Sequence, residues 1–311
     1  MTTRIGTVVG FVGLGNMGIP MAARLVAAGY QVRGFDTSPT AMANFTAIGS
    51  SEAGGAARPA ASLGSLGSAR GGAVIVMLPD SDVVEQVVLG RLANSPPSAS
   101  GGLLASLPSG TTIIDMSSSD PARTQVLARL TASSGVNLID APVSGGVAGA
   151  KAGTLTVMAG GPAAILERFR PMLSVIGSRV VHAGDVGAGH AVKALNNLMS
   201  AAHLLASSEA LVAGQRFGLD PGVMLEIING SSGRSASTEN KWPNYILTGK
   251  YDAGFSMRLL VKDIKLALAI EQATCVPAAA SEAVVATWES ALADLPPDAD
   301  HTAIARWLAD Q

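Results

Sequence analysis

A doubly wound α/β region followed by an all-helical one is the architecture this sequence predicts, on three observations. Short apolar, β-branched runs alternate with helical patterns as far as Gly184. A run of glycines separates the first apolar run from the first helical pattern, and beyond Gly218 the pattern is helical throughout. Repeated strand, turn and helix units imply a parallel sheet covered on both faces. The expected division is residues 1–184 for the sheet region and 185–311 for the helical one.

Residues 7–12 (TVVGFV) form the first expected strand, buried on both faces. GLGNMG follows at once, with Gly13, Gly15 and Gly18, and then a helical pattern that closes at Gly29. Between a strand and a helix, the first glycine permits a tight turn and the second lets the backbone approach a pyrophosphate. The third lets helix and strand pack closely, so this is a Rossmann-type dinucleotide loop. Leu14, Asn16 and Met17 belong to that loop, and the amides of Asn16 and Met17 are expected to hold phosphates at the positive end of the helix. An ordinary glycine-rich turn is the alternative.

Residues 31–35 read as the second strand, ending at Asp36, about 20 residues past the glycines. A carboxylate there accepts hydrogen bonds from the adenosine ribose and repels a 2′-phosphate. With no arginine in DTSPTAM, NAD is favoured and NADP is the alternative. Asp36 could instead cap the next helix, a task Ser38-Pro39 serves equally well.

Residues 47–72, rich in Ala, Gly and Ser, are expected to form short helices and loops. Residues 73–78 (AVIVML) are a buried strand stopped by Pro79-Asp80, and 81–89 continue as helix. Residues 94–102 (NSPPSASGG) are a loop. Residues 111–115 are a strand running into MSSSDP, where Asp120-Pro121 caps a helix to about residue 134. Residues 136–139 are the strand that leads into DAPVSGG. Ligands of such a sheet bind at the strand C-terminal ends, where Pro79, Ser117, Ser118 and Ser144 lie.

The stretch 140–149 is expected to be a loop whose Ser144, Gly145 and Gly146 form an anion nest for a carboxylate. Glycines serving a tight bend are the alternative. Residues 154–159 and 179–182 are strands, with a helix over 162–173 between them.

Residues 187–217 fit one helix, on the order of 45 Å long. Val192, Leu195, Leu198, Met199, Leu204, Leu205 and Leu211 mark an apolar face expected to be mostly buried. Lys193 and Asn197, four residues apart, share a face and can converge on one polar target, with Asn196 beside them. The alternative is a lysine snorkelling to solvent. Helices are then expected over 221–229, 256–273, 281–293 and 300–309, with SSGRSASTEN a polar connection and Lys262-Asp263 on the second of them.

Composition excludes several classes. Lys+Arg 21 against Asp+Glu 23, without a basic cluster, gives no nucleic-acid surface. One cysteine, Cys275, excludes an internal disulfide framework, and His182, His190, His203 and His301 lack metal spacing, so no metal is expected. No apolar stretch reaches about 18 uninterrupted residues and no cleavage pattern follows the start, which predicts a cytoplasmic protein free of membrane contact. The 36 glycines and the long apolar helix predict a homodimer or homotetramer.

Five stretches, GFVGLGNMGIPMA, IDMSSSDP, DAPVSGGVAGAKAGTLTVMAGG, GAGHAVKALNN and VKDIKLAL, resemble in content and order the β-hydroxyacid dehydrogenases, a family that includes 3-hydroxyisobutyrate dehydrogenase-like enzymes. The resemblance runs over residues 7–308. It implies Lys193 as the catalytic lysine, Asn197 as its neighbour at the substrate, and Ser144, Gly145 and Gly146 as the carboxylate site. It also implies cofactor contacts at Leu78, Pro79 and Ser118, and Lys262 over the cofactor side. The family usually has threonine where Ser118 stands, so the hydroxyl is retained.

The implied reaction moves a hydride between NAD and the hydroxyl-bearing carbon of a short 3-hydroxyacid, a small-molecule substrate. The hydroxyl proton must leave as the hydride does, and an amine whose pKa is lowered by burial and a nearby cation can take it. The region NGSSGRSASTENKWPNYILTGKYDAGF departs from the 3-hydroxyisobutyrate forms, which keeps 3-hydroxypropionate, glycerate or tartronate semialdehyde, and threonine-like or threonate-like acids as alternatives. Ser231, Ser232, Lys241 and Phe255 are candidates for the pocket wall. A non-catalytic nicotinamide-binding protein is the reading from another class.

Overall fold

The computed structural model describes residues 8–66, 71–91 and 102–311. The loop expected at 94–102 lies outside the described residues except for Gly102, as does Thr7 at the start of the first strand. The chain divides into two compact units, Met1–Lys193 and Ala194–Gln311.

In the first unit the elements are β1 (Val8–Val12), α1 (Gly18–Ala27), β2 (Gln31–Phe35), α2 (Pro39–Thr46), β3 (Ala56–Pro59), β4 (Ala73–Val76), α3 (Ser81–Leu89), β5 (Thr112–Asp115), α4 (Pro121–Ala132) and β6 (Asn137–Asp140). They are followed by β7 (Val143–Ser144), α5 (Gly146–Ala152), β8 (Thr156–Gly160), α6 (Ala163–Ile176) and β9 (Arg179–Gly184). The sheet order is β3-β2-β1-β4-β5-β6-β8-β7, with β9 on β8. Pairing is parallel from β3 to β6 and reverses where β8 meets β6 and β7. Every residue of β4 and β5 is buried, as befits apolar strands covered on both faces.

Two expectations are corrected here. The stretch 47–72 holds the edge strand β3, whose apolar content is small; an edge strand needs no partner for its outer N–H groups, so Pro59 is tolerated there. The stretch 140–149 is not a loop throughout, since α5 begins at Gly146 and the short β7 pairs antiparallel with β8. Helix starts follow the caps in the sequence: Ser38, Asp80 and Asp120 each accept a hydrogen bond from a first-turn amide of α2, α3 and α4.

α7 (Ala188–Phe217) runs from the first unit into the second. Leu198, Leu204, Leu205 and Leu211 are buried, but Val192 is 43 % and Met199 60 % exposed, contrary to the single buried face expected. Those two lie seven residues apart, on a stripe turned away from the buried leucines.

The second unit continues with α8 (Pro221–Asn229), a π-helical segment (Ser237–Ile246), α9 (Met257–Ala273), α10 (Ala279–Asp294) and α11 (Ile304–Ala309). Its core gathers Leu204, Leu260, Ile264, Trp288 and Ile304, and the Trp288 indole N–H donates to the Ala201 carbonyl. The polar connection ends earlier than expected, since Ser237 already opens the π-helical segment. Pro243 argues against an α-helix there, and the wider spacing is seen in Leu247 N bonding Trp242 O.

Candidate active site

Register places the motifs in one row. Phe35 pairs with Val12, Val12 with Val76, Val76 with Asp115, and Asp115 with Asp140. These residues end β2, β1, β4, β5 and β6. Directly after them come Asp36, the glycine loop, Leu78-Pro79, the serines 117–119 and the turn to Gly146. Strand order reverses at β1 and β4, the position where an open α/β sheet leaves a crevice for ligands.

The glycine loop fits a dinucleotide by its backbone. Gly13 has φ +92°, and a Cβ on Gly18 would run into the Gly13 carbonyl oxygen, so helix and strand close only with glycine. A Cβ on Gly15 would meet nothing, which leaves that face open to a phosphate. Met17, at the head of α1, has no side-chain cap, so no side chain competes with a phosphate for the first-turn amides. Leu14 contributes differently from its neighbours: its side chain is fully buried and its amide donates to Asp36 Oδ2 at 2.7 Å. The other Asp36 oxygen accepts from Ser38 N at 2.8 Å, while Ser38 caps α2. Asp36 therefore braces the loop instead of capping the helix.

Of the three serines after β5, Ser117 and Ser119 are buried and Ser118 is partly exposed. Ser117 Oγ accepts from Leu78 N at 2.9 Å, tying the β4 and β5 loops together. At the next loop Gly145 has φ +130° and Gly146 φ +63°, conformations that favour glycine. The tight bend is thus real, and it leaves α5 without a side-chain cap beside the partly buried Ser144.

The sequence reading missed the network that holds α7. Asp140 Oδ1 accepts from Gly187 N at 2.7 Å and Oδ2 from His190 N at 2.8 Å, meeting amides that a helix start leaves unpaired. His190 is 1 % exposed; its Nδ1 is 2.8 Å from Thr124 Oγ1 and its Nε2 3.1 Å from the Ser117 carbonyl. Asp115 and Asp140 flank the ring at 3.8 and 4.0 Å. Two aspartates closing otherwise apolar strands were the available signal. Lys193, partly buried, lies three residues past His190.

Within the second unit Asn197 is buried, and its Nδ2 donates to Asp263 Oδ2 at 2.6 Å. Asp263 is itself buried and faces Lys262 Nζ at 3.0 Å. One amide hydrogen of Asn197 is therefore committed to Asp263. Asn196 is exposed, and its Nδ2 donates to the Asn197 side-chain oxygen Oδ1 at 3.4 Å. Lys241 Nζ donates to Ser200 Oγ on α7 at 2.9 Å. Ser231 and Ser232 are exposed, and Phe255 packs edge-on against His301. Among the described residues no cluster of His, Cys, Asp and Glu is arranged to hold a metal, and no helix is long and apolar enough to cross a membrane.

Two family models match the chain: the NAD-binding domain of 6-phosphogluconate dehydrogenase over residues 8–184, and the NAD-binding domain of NADP-dependent 3-hydroxyisobutyrate dehydrogenase over residues 187–308. The chain is 39 % identical over 260 residues to 2-(hydroxymethyl)glutarate dehydrogenase of Eubacterium barkeri, covering 84 % of this chain and 81 % of that one. It is 39 % identical over 280 residues to 3-hydroxyisobutyrate dehydrogenase of Pseudomonas aeruginosa, covering 86 % of each. The structure is similar to Mycobacterium tuberculosis 3-hydroxyisobutyrate dehydrogenase with L-serine, at a TM-score of 0.85 and 32 % identity over 98 % of this chain and 99 % of that one. The chain belongs to the β-hydroxyacid dehydrogenase family of NAD(P)-dependent oxidoreductases acting on hydroxyl-bearing carbons.

Proposed function

We propose that the chain oxidises a short 3-hydroxyacid of the 3-hydroxyisobutyrate kind, with Lys193 as general acid/base. Residues 1–184 serve as the dinucleotide-binding domain and 185–311 as the substrate and oligomerisation domain. One observation carries the reading. Asp140, which opens the turn to Ser144, Gly145 and Gly146, also holds the start of α7, the helix that carries Lys193 one turn further on.

In this reading the Ser144 hydroxyl and the amides of Gly145 and Gly146 receive the substrate carboxylate. Lys193 takes the hydroxyl proton as the hydride departs and returns it in reverse. Asn197, its amide held by Asp263, orients the reacting oxygen. Orientation of this kind removes several kcal/mol of barrier. A nicotinamide held by these residues would supply the hydride acceptor. Gly13, Gly15, Asn16, Met17 and Gly18 cradle the pyrophosphate, and Leu14 shapes the loop from its buried place. Leu78, Pro79, Ser118 and Lys262 line the cofactor, while Asp36 selects NAD over NADP.

The test is a panel of 3-hydroxyisobutyrate, 3-hydroxypropionate, glycerate and threonate with NAD and with NADP, followed by absorbance of the reduced cofactor. Oxidation of at least one acid, faster with NAD, is expected. Tight NADH binding without turnover of any acid would leave a non-catalytic nicotinamide-binding protein.

We also place the protein in the cytoplasm, where its free, exposed Cys275 stays reduced, and assemble it as a homodimer or homotetramer. Phe217, Val223 and Ile227 are 83, 55 and 64 % exposed and close in sequence, an apolar surface that a second copy would cover. Light scattering should give twice or four times the chain mass, and a monomer at all concentrations would refute the assembly.

A further inference from the structure

Lys241 is a half-buried cation with little to pair it. Among the described residues its direct hydrogen-bond partner is Ser200 Oγ at 2.9 Å, and no carboxylate lies within ion-pair distance. An ammonium has three donors, so two of its N–H bonds have no protein partner among the described residues, in a partly buried place that disfavours an uncompensated charge. Burial pulls its pKa down to about 8, with the Asp300 charge opposing, so it is still mostly cationic at neutral pH. Asp300 is occupied elsewhere, accepting from Gly254 N, Phe255 N, Thr302 N and Thr302 Oγ1.

Ser200 fixes where this cation sits. It follows Lys193 by seven residues and Asn197 by three, so at 100° per residue the three lie on one stripe of α7. Two helical turns, about 10.5 Å, separate the Cα atoms of Lys193 and Ser200. A molecule held at Lys193 and Asn197 that extends along the helix meets the Ser200 hydroxyl and the Lys241 ammonium next. One ammonium beside one hydroxyl suits a singly charged carboxylate, whereas a phosphate dianion calls for a fork of arginine donors or several amides.

We infer that Lys241 and Ser200 form a subsite for a second carboxylate, so that the favoured substrate is a hydroxy-dicarboxylate; this deepens the reading of Lys193 as the catalytic base and rests on it. The π-helical segment supplies the lysine and α7 supplies the serine, which makes Lys241 a specificity-determining residue.

The test compares 3-hydroxyisobutyrate with 2-(hydroxymethyl)succinate, the same skeleton bearing a carboxylate on its methyl group. Wild-type kcat/KM should favour the diacid by at least about tenfold, the scale of one charge-assisted hydrogen bond. In Lys241→Met that ratio should fall to near one, and Lys241→Arg should restore most of it. A wild-type ratio near one, or a ratio unchanged in Lys241→Met, overturns the subsite and leaves the dehydrogenase reading intact. A binding measurement covers a variant that fails to fold. The wild-type NADH complex should bind methylsuccinate at least about tenfold more tightly than isobutyrate, and equal affinities overturn the subsite. Absence of turnover with every acid, together with that tighter binding, counts against the proposed reaction and not against the subsite.

Discussion

Lys193→Ala is expected to lower kcat by at least about a hundredfold while NADH binds within about threefold of wild type. Proton transfer by a positioned side chain contributes typically about 10² to 10⁴ in rate, and the substitution removes that transfer if Lys193 is the base. The helix start is insulated from the change. Gly187 N and His190 N are held by Asp140, so α7 keeps its anchorage when the lysine is truncated. Lys193→Arg separates charge from proton transfer, because guanidinium retains the cation but does not release a proton near neutral pH. It should be nearly as slow as alanine. Added primary amines, small enough to enter the vacated space, should recover part of the activity of Lys193→Ala. Turnover by either variant close to wild type would remove Lys193 from the reaction. A parallel loss of NADH affinity would instead point to damaged structure.

The residues that act through local geometry were the ones legible in the sequence. A glycine loop between a buried strand and a helix needs no distant partner to be recognised, and Asp36 follows at the spacing set by one turn of strand, helix and strand. The caps Ser38 and Asp120 were legible for the same reason, since they act within their own first turns, whereas Asp80, read only as ending the strand before it, also caps α3. What sequence could not show were contacts between residues far apart in the chain. Asp140 meets Gly187 and His190, Asn197 meets Asp263, and Lys241 meets Ser200 only after folding. The weak edge strand β3 was hidden because residues 56–59 carry almost none of the branched apolar content that marks β4 and β5. Val192 and Met199 misled because apolar spacing marks a helix face without saying what covers it.

Replacing Asp36 by serine together with Thr37→Arg should shift the ratio of kcat/KM for NAD to that for NADP by at least about a hundredfold towards NADP. Two changes act in the same direction. In the proposed reading the carboxylate would accept from the ribose hydroxyls of NAD and repel the 2′-phosphate of NADP, and serine would end both effects. An arginine at the next position offers a bidentate donor to that phosphate, and hydrogen bonds to charged groups contribute about 1.5 to 3 kcal/mol each. A combined effect near 3 kcal/mol corresponds to roughly a hundredfold. Asp36 has a second duty, because its carboxylate also accepts from Leu14 N in the glycine loop and from Ser38 N. Losing those bonds loosens the loop for either cofactor, so KM for NAD should rise even where NADP gains. Asp36→Asn distinguishes the two roles: it ends the repulsion yet keeps one acceptor for the loop, and should move the ratio by less than the double variant. A ratio unchanged in both variants would mean that Asp36 braces the loop without choosing the cofactor.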